Sequence, residues 1–125
     1  MPEPDLPVLD EGVLNELLAS TGDDVAFVRE LIETFLAEAP SQMEAMDAAA
    51  EADDAEALVR PAHTLKSSAA TVGAMRLSSA GRELEMAGRS GTLQPTARVT
   101  LETAHAEWRA ASTAFAAWLT NAGDA

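Results

Sequence analysis

The chain has no cysteine and no tyrosine, two histidines, a single lysine and five aromatic residues among its 125. Without cysteine there are no disulfides, no thiolate nucleophile and no cysteine-built zinc site, a composition that suits the reducing cytoplasm. No apolar run approaches the ~18 residues that a membrane-crossing helix needs. The amino-terminal MPEPDLPVLD is acidic and proline-rich, with none of the positive charge that opens a secretory signal. Cations are scarce too. Eight Lys and Arg face twenty-one Asp and Glu, for a net charge of −13. Such a surface repels nucleic acid and anionic lipid, so neither is expected as a partner and no membrane insertion is expected. Nucleotide-binding signatures are also missing: there is no G-x-x-x-x-G-K-[ST] loop and no kinase glycine loop, and there is no GxSxG nucleophile elbow.

What is present is alanine in quantity, within an apolar share of 47%. Small apolar residues with few β-branched runs favour closely packed helices. Residues 1–7, with three prolines, read as a flexible leader, residues 8–121 as one helical domain, and 122–125 as a tail. A short helix is predicted from Asp10 to Ser20, closed by Gly22, with Asp23 starting the next. A long helix then runs to Ala52, with Val28, Ile32, Phe35, Ala39, Met43, Met46 and Ala50 inward and Pro40 bending it. Asp53-Asp54 caps a third helix that ends at Val72-Gly73. A fourth spans Ala74–Ala87 with Leu77, Ala80 or Gly81, and Leu84 inward, and Gly88-Arg89-Ser90-Gly91 reads as its stop. The last begins near Pro95 and runs to Thr120, with Leu101, Ala104, Trp108, Ala111, Phe115 and Trp118 on one stripe. The expected fold is all-α: an antiparallel up-and-down four-helix bundle with a short additional amino-terminal helix, as a monomer.

The third helix carries the chemistry. Leu58, Ala62, Leu65, Ala69 and Val72 form a buried stripe. His63, Lys66, Ser67 and Ala70 form a second stripe, roughly 130° around the helix, which turns the imidazole towards solvent. A lysine three residues on favours the neutral, nucleophilic form of the ring and could hold an anion placed on it. Ser67, Ser68 and Ala70 are small enough for a partner to come close. A metal site is not indicated, because no second histidine stands at i+3 or i+4. His105 has no lysine partner and reads as a bundle-edge residue. Met43, Met46, Met75 and Met86 read as core fillers. Glu83 and Glu85 read as one solvent-facing side of the fourth helix. Arg60, Arg76 and Arg82 lie within twenty residues of Lys66 and make the surroundings of His63 less negative. Nothing in the sequence explains Pro61, which should kink the helix two residues before the histidine.

His63-Thr64-Leu65-Lys66-Ser67-Ser68-Ala69-Ala70-Thr71-Val72-Gly73-Ala74 resembles the phosphorylation-site helix of histidine-containing phosphotransfer (HPt) domains, roughly H-x-L-K-[GS]-[SA]-[SA]-x-x-[LIV]-G. Arg82-Glu83-Leu84-Glu85 continues the resemblance, and Phe35-Leu36-Ala37-Glu38-Ala39-Pro40 is similar to the family's second helix; together it covers about residues 8–119. Ser67 stands where many members have glycine. The resemblance implies that His63 accepts a phosphoryl group, most readily on Nε2, from the aspartyl phosphate of a receiver domain and passes it to another receiver, with Lys66 steadying it. It implies that Ser67, Ala70 and Glu85 lie where the receiver docks, with Glu85 beside the imidazole on the neighbouring helix. No cofactor and no metal are implied in this chain, since the receiver brings its own Mg²⁺; the protein would be a carrier and not an autonomous kinase. A second reading is a helical adaptor that does no chemistry, with His63 incidental. A third, the dimerisation helices of a sensor kinase, fits less well: Thr64-Leu65 stands where an acidic residue usually follows the histidine.

Overall fold

Aspartates open three of the five helices in the computed structural model, which describes residues 5–123. Asp10 accepts a hydrogen bond from the Gly12 amide at 3.0 Å and opens α1 (Glu11–Ser20). Asp24 caps α2 (Val25–Glu51) through the Phe27 amide, and Asp54 caps α3 (Ala55–Thr71) through the Ala57 amide, each at 3.1 Å. Each side-chain oxygen satisfies an amide that the first helical turn leaves unpaired. The cap of α2 is therefore Asp24, one residue later than predicted. Asp23 has φ 63° and Asp53 φ 54°, in the left-handed region that aspartate tolerates better than most residues. In both Asp-Asp pairs the first residue turns the chain and the second starts the helix.

The ends of these three helices share one closing pattern. The amide of Asp23 bonds the carbonyl of Leu18, that of Asp54 bonds Ala49, and that of Ala74 bonds Ala69, at 2.8–2.9 Å. These are the long bonds of a left-handed helix stop. At the third stop Gly73 has φ 86° and a second constraint: a β-carbon there would stand 2.8 Å from the Asp10 carbonyl. The Asp10 amide in turn donates to Gly73 O at 2.8 Å, fastening the start of α1 to the α3–α4 corner.

α4 (Met75–Arg89) and α5 (Pro95–Gly123) complete the fold. α2 packs on α3, α3 on α4, α4 on α5 and α5 back on α2, while α1 lies against α2. Short loops force consecutive helices to run antiparallel, so the four long helices close into an up-and-down bundle. Val28, Ile32, Met46, Leu58, Leu65, Leu77, Leu84 and Phe115 are the large side chains at its centre. Phe35 meets Trp108 and Phe115 edge-on, both at 5.9 Å between ring centres. α2 and α3 run on as helix through Pro40 and Pro61.

Four expectations need correcting. Gly88 and Arg89, read as a stop, belong to α4, and the chain turns instead at Gly91, φ 84°. Gly88 is used for close packing: a β-carbon there would lie 2.8 Å from the Ala55 carbonyl and from Val59 Cγ2. Residue 122, assigned to a tail, is helical, since α5 reaches Gly123; the last two residues lie outside those described. The leader is not loose throughout, for Arg76 Nε donates to the Leu6 carbonyl at 2.6 Å; residues 1–4 lie outside those described. Met86 is no core filler, being 60% exposed.

The α3–α4 contact positions the site. Gly81 has no side chain to hold the helices apart; a β-carbon would stand 3.1 Å from the Lys66 amide nitrogen and 3.2 Å from the Ala62 carbonyl. Ser78 Oγ, buried in the same seam, donates to the Lys66 carbonyl at 2.9 Å. Ser78, Gly81, Glu85 and Gly88 follow the 3-4-3 step of a single helix stripe. Three small residues therefore bring the backbones into contact, and Glu85 is the one long side chain among them.

Candidate functional site

His63 stands on α3 with its side chain 54% exposed. Its Nδ1 lies 3.2 Å from Glu85 Oε2, which projects from α4. Glu85 is buried at 6% exposure, and three cationic or polar groups converge on it. Lys66 Nζ lies 2.7 Å from Oε1 as a charge pair off the aligned hydrogen-bond direction. Arg89 donates to Oε2 through Nε at 2.9 Å and through its terminal nitrogen at 2.7 Å. A carboxylate taken out of water is costly unless paired. Here the Lys66 ammonium, then the Arg89 guanidinium, hold the Glu85 carboxyl down at about 2 against the upward push of burial, with the His63 contact adding to the lowering.

That ionised state decides the imidazole's tautomer. A carboxylate can only accept, so the proton of a neutral His63 ring sits on Nδ1 and is donated to Oε2. Nε2 is left with its lone pair, and among the described residues no hydrogen bond occupies it. The site is thus a half-exposed nucleophilic nitrogen on a ring anchored from beneath.

The two stripes of α3 separate as predicted. Ala62, Leu65 and Ala69 are fully buried, while Ser67 and Ala70 are exposed on the side of His63. Lys66 is 31% exposed in its side chain and pairs with Glu85 instead of with the ring. Glu85 does lie beside the imidazole, but it is buried: it supports the ring from below and takes no place on a docking face, nor on the solvent-facing side first assigned to it. Arg89 was missed. The signal was available, because Glu followed by Arg at i+4 is a favourable helical pair, but reading Gly88 as a stop hid it.

Charge is distributed to match. α3 and α4 hold five of the cations, Arg60, Lys66, Arg76, Arg82 and Arg89, against Glu56, Glu83 and Glu85. α2, by contrast, has Arg29 against six acids. A shallow depression beside Lys66 is lined by Met75, Ser79, Arg82 and Met86. His105 lies elsewhere, on α5, with Nε2 2.9 Å from Asp47 Oδ1 of α2. Among the described residues no three His, Asp or Glu side chains group as a metal site would, and no helix is long and apolar enough to cross a membrane.

Fold and site together define a helical domain that presents one histidine from a fixed support. The Hpt domain family model matches residues 30–118, more than half of the chain, and the chain belongs to that family. Among solved structures it is similar to histidine-containing phosphotransfer protein B (HptB) from Pseudomonas aeruginosa PAO1. The two share 30% identity with a TM-score of 0.81, over 92% of this chain and 96% of that one. No curated protein sequence matches it.

Proposed function

We propose that this protein is a phosphoryl carrier of a two-component phosphorelay. His63 Nε2 attacks the aspartyl phosphate of one receiver domain, and a second receiver's aspartate later removes the phosphoryl group. The observation that carries this reading is the His63 ring, half-exposed and fixed through Nδ1 on a carboxylate that stays ionised. Holding the ring in one orientation turns a collision into a near-attack geometry once the receiver docks. Lys66 and Arg89 supply positive charge next to the phosphoryl oxygens, and the receiver supplies Mg²⁺ from its own acidic pocket. The net-positive α3–α4 surface, with exposed Ser67 and Ala70, is the docking face, since it receives an acidic partner that α2 would repel. The chain acts as a carrier and not as a kinase.

The test is transfer from a panel of phosphorylated receivers to the wild type and to His63→Gln. The wild type takes up acid-labile phosphate from at least one receiver, and the variant takes up none while keeping its helical circular dichroism. Label retained by the variant, or mapped to His105, refutes the assignment.

A further inference from the structure

We infer that Glu85 keeps the Nδ1 proton on the ring after phosphorylation, so that phosphorylated His63 is held as a phosphoimidazolium, the form that gives its phosphoryl group away most readily. This deepens the phosphotransfer reading and rests on it.

The Nε2 lone pair forms the N–P bond, and the P–O bond to the receiver's aspartate breaks with its electron pair going to that carboxylate. The ring has gained a bond and lost no proton, so it carries a positive charge. In water such a ring readily sheds its Nδ1 proton, leaving a neutral phosphoimidazole whose departure would require an imidazolate. At His63 the Nδ1 proton points at Oε2 of the buried Glu85, 3.2 Å away. Losing it would set a nitrogen lone pair against the anionic oxygen of a buried carboxylate, an unfavourable contact. Retaining it leaves a charge-assisted hydrogen bond, stronger than a neutral one. In onward transfer the next receiver's carboxylate attacks phosphorus and the N–P pair returns to Nε2. The ring is then neutral imidazole with Nδ1–H in place, and no proton has moved in either direction.

The charges facing the ring have to be weighed together. From α4 come Glu85 and Arg89, and from α3 comes Lys66. α2, the other helix packed on α3, makes no ion pair with His63 or Glu85 among the described residues. Lys66 and Arg89 disfavour a ring cation, whereas Glu85 and the phosphoryl oxygens favour it. Glu85 wins at Nδ1 because, among the described residues, it alone bonds that atom. The phosphoryl group at Nε2 adds roughly −1.5 to −2 of charge, which draws the two cations towards itself.

Phosphoramidate provides the test, because it phosphorylates imidazoles directly and needs no receiver. The protein carries His105→Gln, so that His63 is its one histidine. The ¹⁵N signal of Nδ1 and the lifetime of the phosphohistidine are followed from about pH 6 to about pH 9, across the range where histidine chemistry titrates. We expect Nδ1 to stay protonated to higher pH with Glu85 than with Glu85→Gln, which accepts the same hydrogen bond without the charge. A difference of one unit in proton release makes the variant's phosphohistidine about tenfold longer-lived on the alkaline side. Coincident ¹⁵N titrations and lifetimes overturn the inference. Arg89→Gln supplies an independent measurement if Glu85→Gln does not fold. Removing that cation moves proton release upwards, and an unchanged or downward shift overturns the inference. A protein that took phosphate from no receiver would instead sink the phosphorelay reading, a failure separate from either result.

Discussion

Replacing Glu85 by glutamine should change how the protein's stability responds to acid. In the folded protein the carboxyl is lowered from 4.5 to about 2, first by Lys66 and then by Arg89. A group whose folded value is depressed contributes stability that is fully present above its unfolded value and disappears as pH falls towards the folded one. The shift from 4.5 to about 2 corresponds to at most about 3.5 kcal/mol near neutral pH, at ~1.4 kcal/mol per unit. More than half of that is gone by about pH 3, where the unfolded chain is protonated and the folded carboxylate is being titrated. Glutamine mimics the protonated acid, so the variant lacks this contribution at every pH. Urea unfolding of both proteins from about pH 7 to about pH 3 reads the difference directly, and the remaining carboxylates cancel in the subtraction. The gap should be widest at neutral pH and narrow steadily below about 4.5. Parallel acid limbs, with a constant gap, would mean that the Lys66–Glu85–Arg89 cluster does not hold an ionised carboxylate, and the tautomer argument for His63 would fall with it.

Lys66→Ala should slow phosphoryl transfer about ten- to a hundredfold without abolishing it, the effect of losing one charge-assisted contact of ~1.5–3 kcal/mol; a rate within about twofold of wild type by stopped-flow transfer, a change too small for such a contact, removes Lys66 from the chemistry. Ser67→Trp, on the exposed stripe, should leave stability within about 0.5 kcal/mol while blocking transfer. Ala69→Trp, with no exposed surface to grow into, should lose about 1–3 kcal/mol or more by overpacking. If thermal melts and transfer rates rank these two variants the other way round, the docking face is misplaced. Gly88→Ala gains about 1 kcal/mol of helix propensity but crowds the Ala55 carbonyl at a cost of about 1–3 kcal/mol. Its melting temperature should therefore drop by several degrees, and a rise would show that α3 and α4 are not in backbone contact at that point.

The helices were legible because their signals are local. A period of 3.6 exposes a buried stripe in α2, α3 and α5 without knowledge of what it packs against. Aspartates followed by apolar periodicity mark three helix starts to within a residue. His63 and Lys66 were legible for the same reason, one turn apart on one helix. Glu85 was only half legible: the family resemblance put it beside the imidazole, but the α4 sequence alone reads as solvent-facing. Its burial depends on Gly81 and Gly88 letting a neighbouring backbone approach, and that neighbour lies on another helix, more than a dozen residues away in sequence. Gly88 misled for a related reason. A glycine near a helix end can be a stop or a seam, and only the packing partner distinguishes them. The fold also leaves Pro61 without an explanation: it is buried within α3, and nothing around it requires a proline.

The glycine seam also bears on conformational entropy. Where α3 and α4 touch through Gly81 and Gly88 the glycines have no side-chain torsions to rearrange, so that seam has few alternative packings open to it. Glu85 rises from that seam, and Arg89 and Lys66 fix its carboxylate. A surface histidine on a free helix samples its rotamers and loses that freedom at each productive encounter, at roughly 1 kcal/mol per immobilised side chain. Here the loss falls within folding, once per molecule, and recurs in none of the transfers that follow.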